Sequence, residues 1–260
     1  MHNNLKIAII QTEIIWQNSE ENIKKYTNKI TAITEAVDLI VLPEMFSTGF
    51  SMKPVSIAEK MDGNTLHWMK NMASLKQCAI AGSLIIEDQS QFFNRFLFVH
   101  PCGKVDFYDK RHLFTLAGEE KVFRKGQKKV IIHYKEWKIC PMVCYDLRFP
   151  VWSRNVEEYD VLIYVANWPK SRIDAWDILL RARAVENMCY VVGVNRVGED
   201  ENGLNYSGHS AVFNGLGIQI VSTQVSLEEQ KTVILEKEHL ANIRKKFNFL
   251  NDADHFEVMS

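Results

Sequence analysis

No long apolar run occurs in this chain. Of its 260 residues 47% are hydrophobic, yet no stretch approaches the roughly 18 consecutive apolar residues of a membrane-crossing helix. Charge of one sign is missing as well. Lysine and arginine number 31 against 32 aspartates and glutamates, a formal net charge of −1 that removes the electrostatic drive of a nucleic-acid binder. The most basic stretch, FRKGQKK, is short enough to be a solvated turn. Five cysteines, an odd number without framework-like spacing, do not make a disulfide scaffold. The opening MHNNLKIAII carries no basic segment ahead of a long apolar one, as a secretory signal would. A cytoplasmic protein with reduced thiols and no nucleic-acid or membrane partner is expected.

Motifs of several common chemistries are absent too. There is no G-x-x-x-x-G-K-[ST] phosphate loop, no G-x-G-x-x-G after the first strand and no G-x-S-x-G elbow. Neither C-x-x-C nor H-E-x-x-H occurs, and Cys140 with Cys144 has no nearby histidine pair to complete a zinc site. No metal or organic cofactor is expected.

What the chain does have is a series of short runs rich in Val and Ile: LKIAII, VDLIVLP, CAIAGSLII, RFLFVH, KVIIHY, WKICPMVC, YDVLIYVAN and CYVVGVNR. They predict strands buried on both faces. Between them, Ile23, Tyr26, Ile30, Ile33 and Val37 fall at three- and four-residue intervals and predict a helix over 19–37 with Ser19 as N-cap. A second helix is predicted over 174–188, capped by Asp174 and carrying Trp176, Leu179, Leu180, Ala184 and Met188. With no repeat and no Pro/Gly-rich linker, the pattern predicts one α/β domain over 1–260 with a mixed sheet arrangement. The last dozen residues, about 249–260, are expected to form a terminal arm, either docked on a second subunit or equally a docked or frayed terminus of the monomer.

Chemistry gathers where these strands end. Glu44 follows VLP, at the place where α/β folds build ligand crevices; standing alone it reads more readily as a residue that caps the following turn or sits in solvent. Lys110 sits in VDFYDKRHLF among charges but also among Phe107, Tyr108, Leu113 and Phe114, which suggest a segment packed on the body. Glu119 and Glu120 precede a basic turn. Cys144 ends an apolar run and is followed by YDLRFP, a sharp strand-to-helix turn that suits a displayed nucleophile, although a cysteine there is as readily a core residue.

Taken together, LPEMFSTGF, YDKRHLFTLAGE, CYDLRFPVWSRN, VANWPKSRIDAWDILLRARAVEN and VNRVGED resemble the carbon–nitrogen hydrolase (nitrilase) superfamily, and within it the ω-amidase branch. The resemblance spans about residues 5–222. It implies an α-β-β-α sandwich that pairs into a four-layered homodimer. It makes Cys144 the nucleophile, Glu44 the general base, Lys110 the catalytic lysine and Glu119, in preference to Glu120, a second supporting carboxylate. The backbone N–H of Tyr145 then serves the oxyanion, and Cys140 stays in the core. The implied substrate is a small amide, the ω-amide of a short dicarboxylic acid such as α-ketoglutaramate or α-ketosuccinamate. Its carboxylate calls for a cation. Arg172 is the first candidate and Arg148 the competitor, the latter expected instead to pair with an acid such as Glu186. Phe46, Trp168 and Tyr145 are candidate pocket walls, and Asn167 shapes a strand end. Many relatives carry proline after the position of Asn214, where this chain reads FNGLG, a departure expected in a hairpin away from the site. Three other functions remain open to test: hydrolysis of another amide or N-carbamoyl compound, a metal-dependent amidase, and a non-catalytic binding module.

Overall fold

The computed structural model describes residues 4–254 and 256–258. In chain order the elements are β1 (Leu5–Gln11), α1 (Ser19–Thr31), β2 (Leu39–Val41), α2 (Asn64–Lys76), β3 (Ala79–Asp88), β4 (Gln91–Val99), β5 (Val105–Asp109), α3 (Glu119–Val122), β6 (Ile132–Tyr134), β7 (Trp137–Val143), α4 (Pro150–Ser153), β8 (Val161–Ala166), α5 (Ile173–Asn187), β9 (Tyr190–Asn195), β10 (Val197–Glu199), β11 (Asn205–Ser207), β12 (Ala211–Phe213), β13 (Gln219–Ser222), β14 (Glu229–Leu235) and α6 (Lys237–Phe247). Two six-stranded mixed sheets result, ordered β14-β1-β2-β3-β4-β5 and β13-β12-β9-β8-β7-β6, with β10 and β11 as a separate hairpin.

The two-residue period of a strand explains the layering. Ile7 and Ile9 of β1, Leu39 and Val41 of β2, and Phe96 and Phe98 of β4 join one core with Ile139, Val143, Val161 and Val194 of the second sheet. Their neighbours Ala8, Ile10, Ile40, Leu97 and Val99 face the other way, onto Tyr26, Ile30, Met69 and Ala73 of α1 and α2. On the far side Trp176, Leu180 and Ala184 of α5 and Leu240 and Ile243 of α6 close the second sheet. The order is helix, sheet, sheet, helix, as the resemblance implies. Cys140 is fully buried between the layers, and burial pushes its thiol up to about 12.

Several local expectations shift. The first helix stops at Thr31; Ile33 and Val37 are buried, but in the connection that follows. Its cap is Asn18, whose Oδ1 accepts the Glu21 N–H at 3.1 Å, one residue ahead of the expected Ser19. The later helix starts at Ile173, with Asp174 in its first turn rather than as its cap. FNGLG forms the β12–β13 hairpin, where the Asn214 Oδ1 accepts from Leu216 and Ile218 and Gly217 takes φ +74°. The arm begins as a short 3-10 turn over Phe249–Asp252, and Ala253, Asp254 and Phe256 border a groove with Pro150, Val151 and Arg154. The remainder of the expected arm, His255, Met259 and Ser260, lies outside the described residues. Among the described residues no helix is long and apolar enough to cross a membrane.

Candidate active site

Strand register decides which side chains meet. In the first sheet β2 runs parallel to β3, and beyond its last residue Pro43 breaks the pattern and Met45 turns with φ +43°. Glu44 is left between them, fully buried. Antiparallel pairing of β4 with β5 ends at Arg95 opposite Asp109, so the next residues, Asn94 and Lys110, lie side by side, with the Lys110 N–H on the Asn94 carbonyl at 3.0 Å. Gly126 seals that turn: its N–H donates to the Lys110 carbonyl at 2.8 Å, and a Cβ there would meet the Asp109 carbonyl oxygen at 2.0 Å. In the second sheet β7 and β8 are parallel, and their ends bring Cys144 beside Asn167, with the Cys144 Sγ 4.0 Å from the Asn167 carbonyl oxygen. Cys144 itself has φ +45°, a conformation in which a non-glycine side chain is strained and is found at sharp turns.

The strand ends converge on one buried ionic cluster. Lys110 Nζ donates to Glu44 Oε1 at 3.1 Å and to both oxygens of Glu119 at 3.0 and 2.9 Å, and all three residues are fully buried. Glu119 is fixed by the Phe114 N–H at 2.6 Å. Glu44 is fixed from both sheets, by Asn94 Nδ2 at 2.7 Å and by the Asn167 N–H at 2.8 Å. Burial works against the lysine's charge, but Glu119 and Glu44 outweigh it and hold its pKa above the ordinary lysine value. For Glu119 burial wins over Lys110 and the carboxyl is raised. The Cys144 thiol is held well above its usual value by burial and by the nearby Glu44 carboxylate, against the opposing pull of Lys110. It therefore rests protonated at neutral pH.

Above the cluster opens a cleft of about 560 Å³ bordered by Lys110, Cys144, Tyr145, Asn167, Trp168 and Arg172. Arg172 lies 5.1 Å from the Phe114 ring centre and Arg148, also in the cleft wall, 4.9 Å from that of Trp168; neither forms an ion pair among the described residues. Arg148 does not take Glu186 as expected, because Arg183, one turn away on α5, pairs with it at 3.0 Å. Phe46 is not a pocket wall either. The left-handed turn at Met45 sends its ring into the outer layer, 5.3 Å from Tyr26 and 5.9 Å from Trp68, and Phe50 lines the cleft instead, 5.2 Å from Lys110 Nζ.

Two supporting residues have no role assigned from the sequence. Asn94 bridges Glu44 and Glu119, its Oδ1 taking a hydrogen bond from Ser83 at 2.8 Å; a polar residue inside the apolar run FFNRFLFV was the available signal. Asp146 is buried behind the turn and accepts from the Val143 and His112 N–H groups and the Tyr108 hydroxyl, which ties the Cys144 turn to the Lys110 segment. Among the described residues no cluster of three or more His, Cys, Asp or Glu side chains is placed to hold a metal ion.

The description that this arrangement fits comes from related chains. Residues 6–241 match the family model described as carbon-nitrogen hydrolase. The chain belongs to this family. Among carbon-nitrogen hydrolases it is similar to "Omega-amidase YafV" of Escherichia coli, 42% identical over 98% of either chain, and to "2-oxoglutaramate amidase" of Bacillus subtilis, 32% identical over 81% of this chain and 83% of the other. A solved CN-hydrolase superfamily protein of Xanthomonas campestris, described as carrying an arsenic adduct in its active site, superposes with a TM-score of 0.96 at 39% identity over the full length of both chains. The nitrilase-type α/β fold read from the sequence motifs is the fold of these carbon-nitrogen hydrolases.

Proposed function

We propose that the protein is an ω-amidase that releases ammonia from the terminal amide of short dicarboxylic acid monoamides, such as α-ketoglutaramate or α-ketosuccinamate, through an acyl-thioester on Cys144. One arrangement carries the reading: a thiol beside a buried carboxylate and a buried lysine cation, with two arginines in the wall of the same cleft that form no ion pair among the described residues. The names of the relatives support the substrate class.

The steps follow from the charges. Because the resting thiol is neutral, its proton passes to Glu44 as sulfur attacks the amide carbon. Lys110 faces the negative charge that appears on the carbonyl oxygen. Tyr145 lies in the first turn of a 3-10 helix over Cys144–Arg148, where N–H groups have no acceptor within the helix, and its N–H adds a second donor. The tetrahedral adduct collapses with cleavage of C–N, and Glu44 returns the proton to nitrogen, which leaves as ammonia. Water then gives a proton to Glu44 while its oxygen attacks the thioester; the acid departs and the thiol is restored. Glu119 keeps Lys110 charged and aimed. Arg172, with Arg148 at the rim, receives the distal carboxylate, and Trp168 and Tyr145 form the apolar walls.

We place this enzyme in the cytoplasm, where its five free thiols stay reduced. We read it as a homodimer, since α5 leaves Ile178 and Val185 66% and 49% exposed. Ammonia release from α-ketoglutaramate, glutamine and N-carbamoyl amino acids tests the assignment. Turnover of α-ketoglutaramate by far the best of the three is expected, and turnover of a carbamoyl compound alone would reject the substrate class.

A further inference from the structure

We infer that Asn167 holds the leaving nitrogen of the substrate through its side-chain oxygen, making it a substrate-contacting residue that selects an unsubstituted amide. This rests on the amidase reading of Cys144 and Glu44 given above.

The orientation of the Asn167 amide group is fixed by its neighbours. Its Nδ2 lies 2.7 Å from the Glu44 carbonyl oxygen and 3.4 Å from Glu44 Oε2. Both are acceptors, so the nitrogen must be on that side and Oδ1 on the other. Oδ1 is buried and has no hydrogen-bond partner among the described residues. Of the eight buried side-chain atoms in that condition among the described residues, it alone belongs to a residue that borders the cleft. A buried acceptor left unpaired is costly, and in a native structure such a group calls for an explanation. A donor supplied by the substrate would be one.

The main chain of the same residue offers a second acceptor. The Asn167 carbonyl oxygen has only the long 4.0 Å contact from the Cys144 thiol among the described residues, and that contact ends when the thiol gives up its proton. A primary amide carries two N–H donors. With one on Oδ1 and the other on the Asn167 carbonyl, the nitrogen lone pair that appears as the carbon becomes tetrahedral has its remaining direction free for Glu44. Glu44 is bonded to this same residue through the Asn167 N–H at 2.8 Å. Ammonia then departs with the two hydrogens of the amide and the one that Cys144 lent to Glu44. An N-alkyl group would displace one of the two acceptors, so the site disfavours substituted amides.

The test compares the ω-amide with the ω-methyl ester of the same acid in wild type and in Asn167→Ala, reading kcat/KM, which reports acylation for both. The ester presents no N–H. Loss of the Asn167 contacts to Glu44 slows both substrates alike, whereas loss of Oδ1 slows only the amide. The expected result is an amide-to-ester ratio about tenfold lower in the variant, the worth of one hydrogen bond. A ratio unchanged from wild type overturns the inference. If Asn167→Ala fails to fold, the near-isosteric Asn167→Leu is read the same way. Loss of both activities in a folded variant also overturns it, by reducing Asn167 to a support for Glu44. Absence of ω-amide turnover in wild type would instead reject the amidase reading on which it stands.

Discussion

Two lysine–carboxylate clusters in this molecule use the same ions in opposite proportion. In the cleft floor one lysine, Lys110, is held by two glutamates, and all three are fully buried. At the edge of the outer helical layer one glutamate, Glu228, is held by two lysines, Lys25 and Lys29, together with the Thr12 hydroxyl and the Glu13 N–H, and a third of its side chain remains exposed. Burial disfavours the Glu228 charge, but hydrogen bonds from Lys25, Thr12 and Lys29 prevail and bring its pKa down to about 2. The outer cluster is an ordinary fastening of the segment before β14 onto α1. The inner one leaves one negative charge in excess beside a neutral thiol, an arrangement that stability alone does not favour. Buried ions are weak contributors to stability, and their retention at a cleft points to chemistry.

Breaking the two clusters separates these roles. The largest effect is expected for Lys110→Met, which leaves two carboxylates buried without a cation. Stability falls by about 3–5 kcal/mol in denaturant unfolding, and ammonia release is lost. Glu119→Gln keeps the shape and the acceptor for the Phe114 N–H while removing one charge; the fold persists and kcat falls about 10²-fold in the ammonia assay. Arg172→Ala lowers kcat/KM for the dicarboxylic monoamide about 10- to 100-fold, mostly through KM, and leaves a neutral amide of the same length nearly unaffected. The smallest effect belongs to Glu228→Gln, which leaves activity unchanged and costs about 1 kcal/mol or less at neutral pH. Its pH dependence has a definite sign. The folded pKa is below the ordinary 4.5, so its contribution is full above that value and is lost as pH falls toward about 2. The difference in Tm between wild type and Glu228→Gln should therefore close over that acid range.

Most of the strand layout was legible because short Val- and Ile-rich runs set between helical patterns admit few alternatives. The meeting of Glu44, Lys110 and Cys144 was not legible from periodicity. It depends on the register of β4 on β5 and on the pairing of β7 with β8, which only long-range contacts establish. The motif resemblance supplied that pairing from outside the residue-by-residue reading. Phe46 was misplaced because a left-handed residue, Met45, reverses which face the next side chain takes, and no neighbouring residue type announces it. Arg148 was misassigned because a helical partner, Arg183, was three residues from Glu186 and therefore closer to it than any loop residue. The roles of Asn94 and Asp146 are not legible for one reason: each acts by hydrogen-bonding other site segments, and a sequence carries no sign of the partner.

The central claim is that Cys144 becomes acylated. Rapid quenching of wild type with α-ketoglutaramate, followed by peptide mass analysis, should find the acyl group on the peptide containing Cys144, with one ammonia released per acyl group in the first turnover. Cys144→Ala should show neither adduct nor ammonia. An adduct on another residue, or ammonia release by Cys144→Ala at the wild-type rate, would contradict the account.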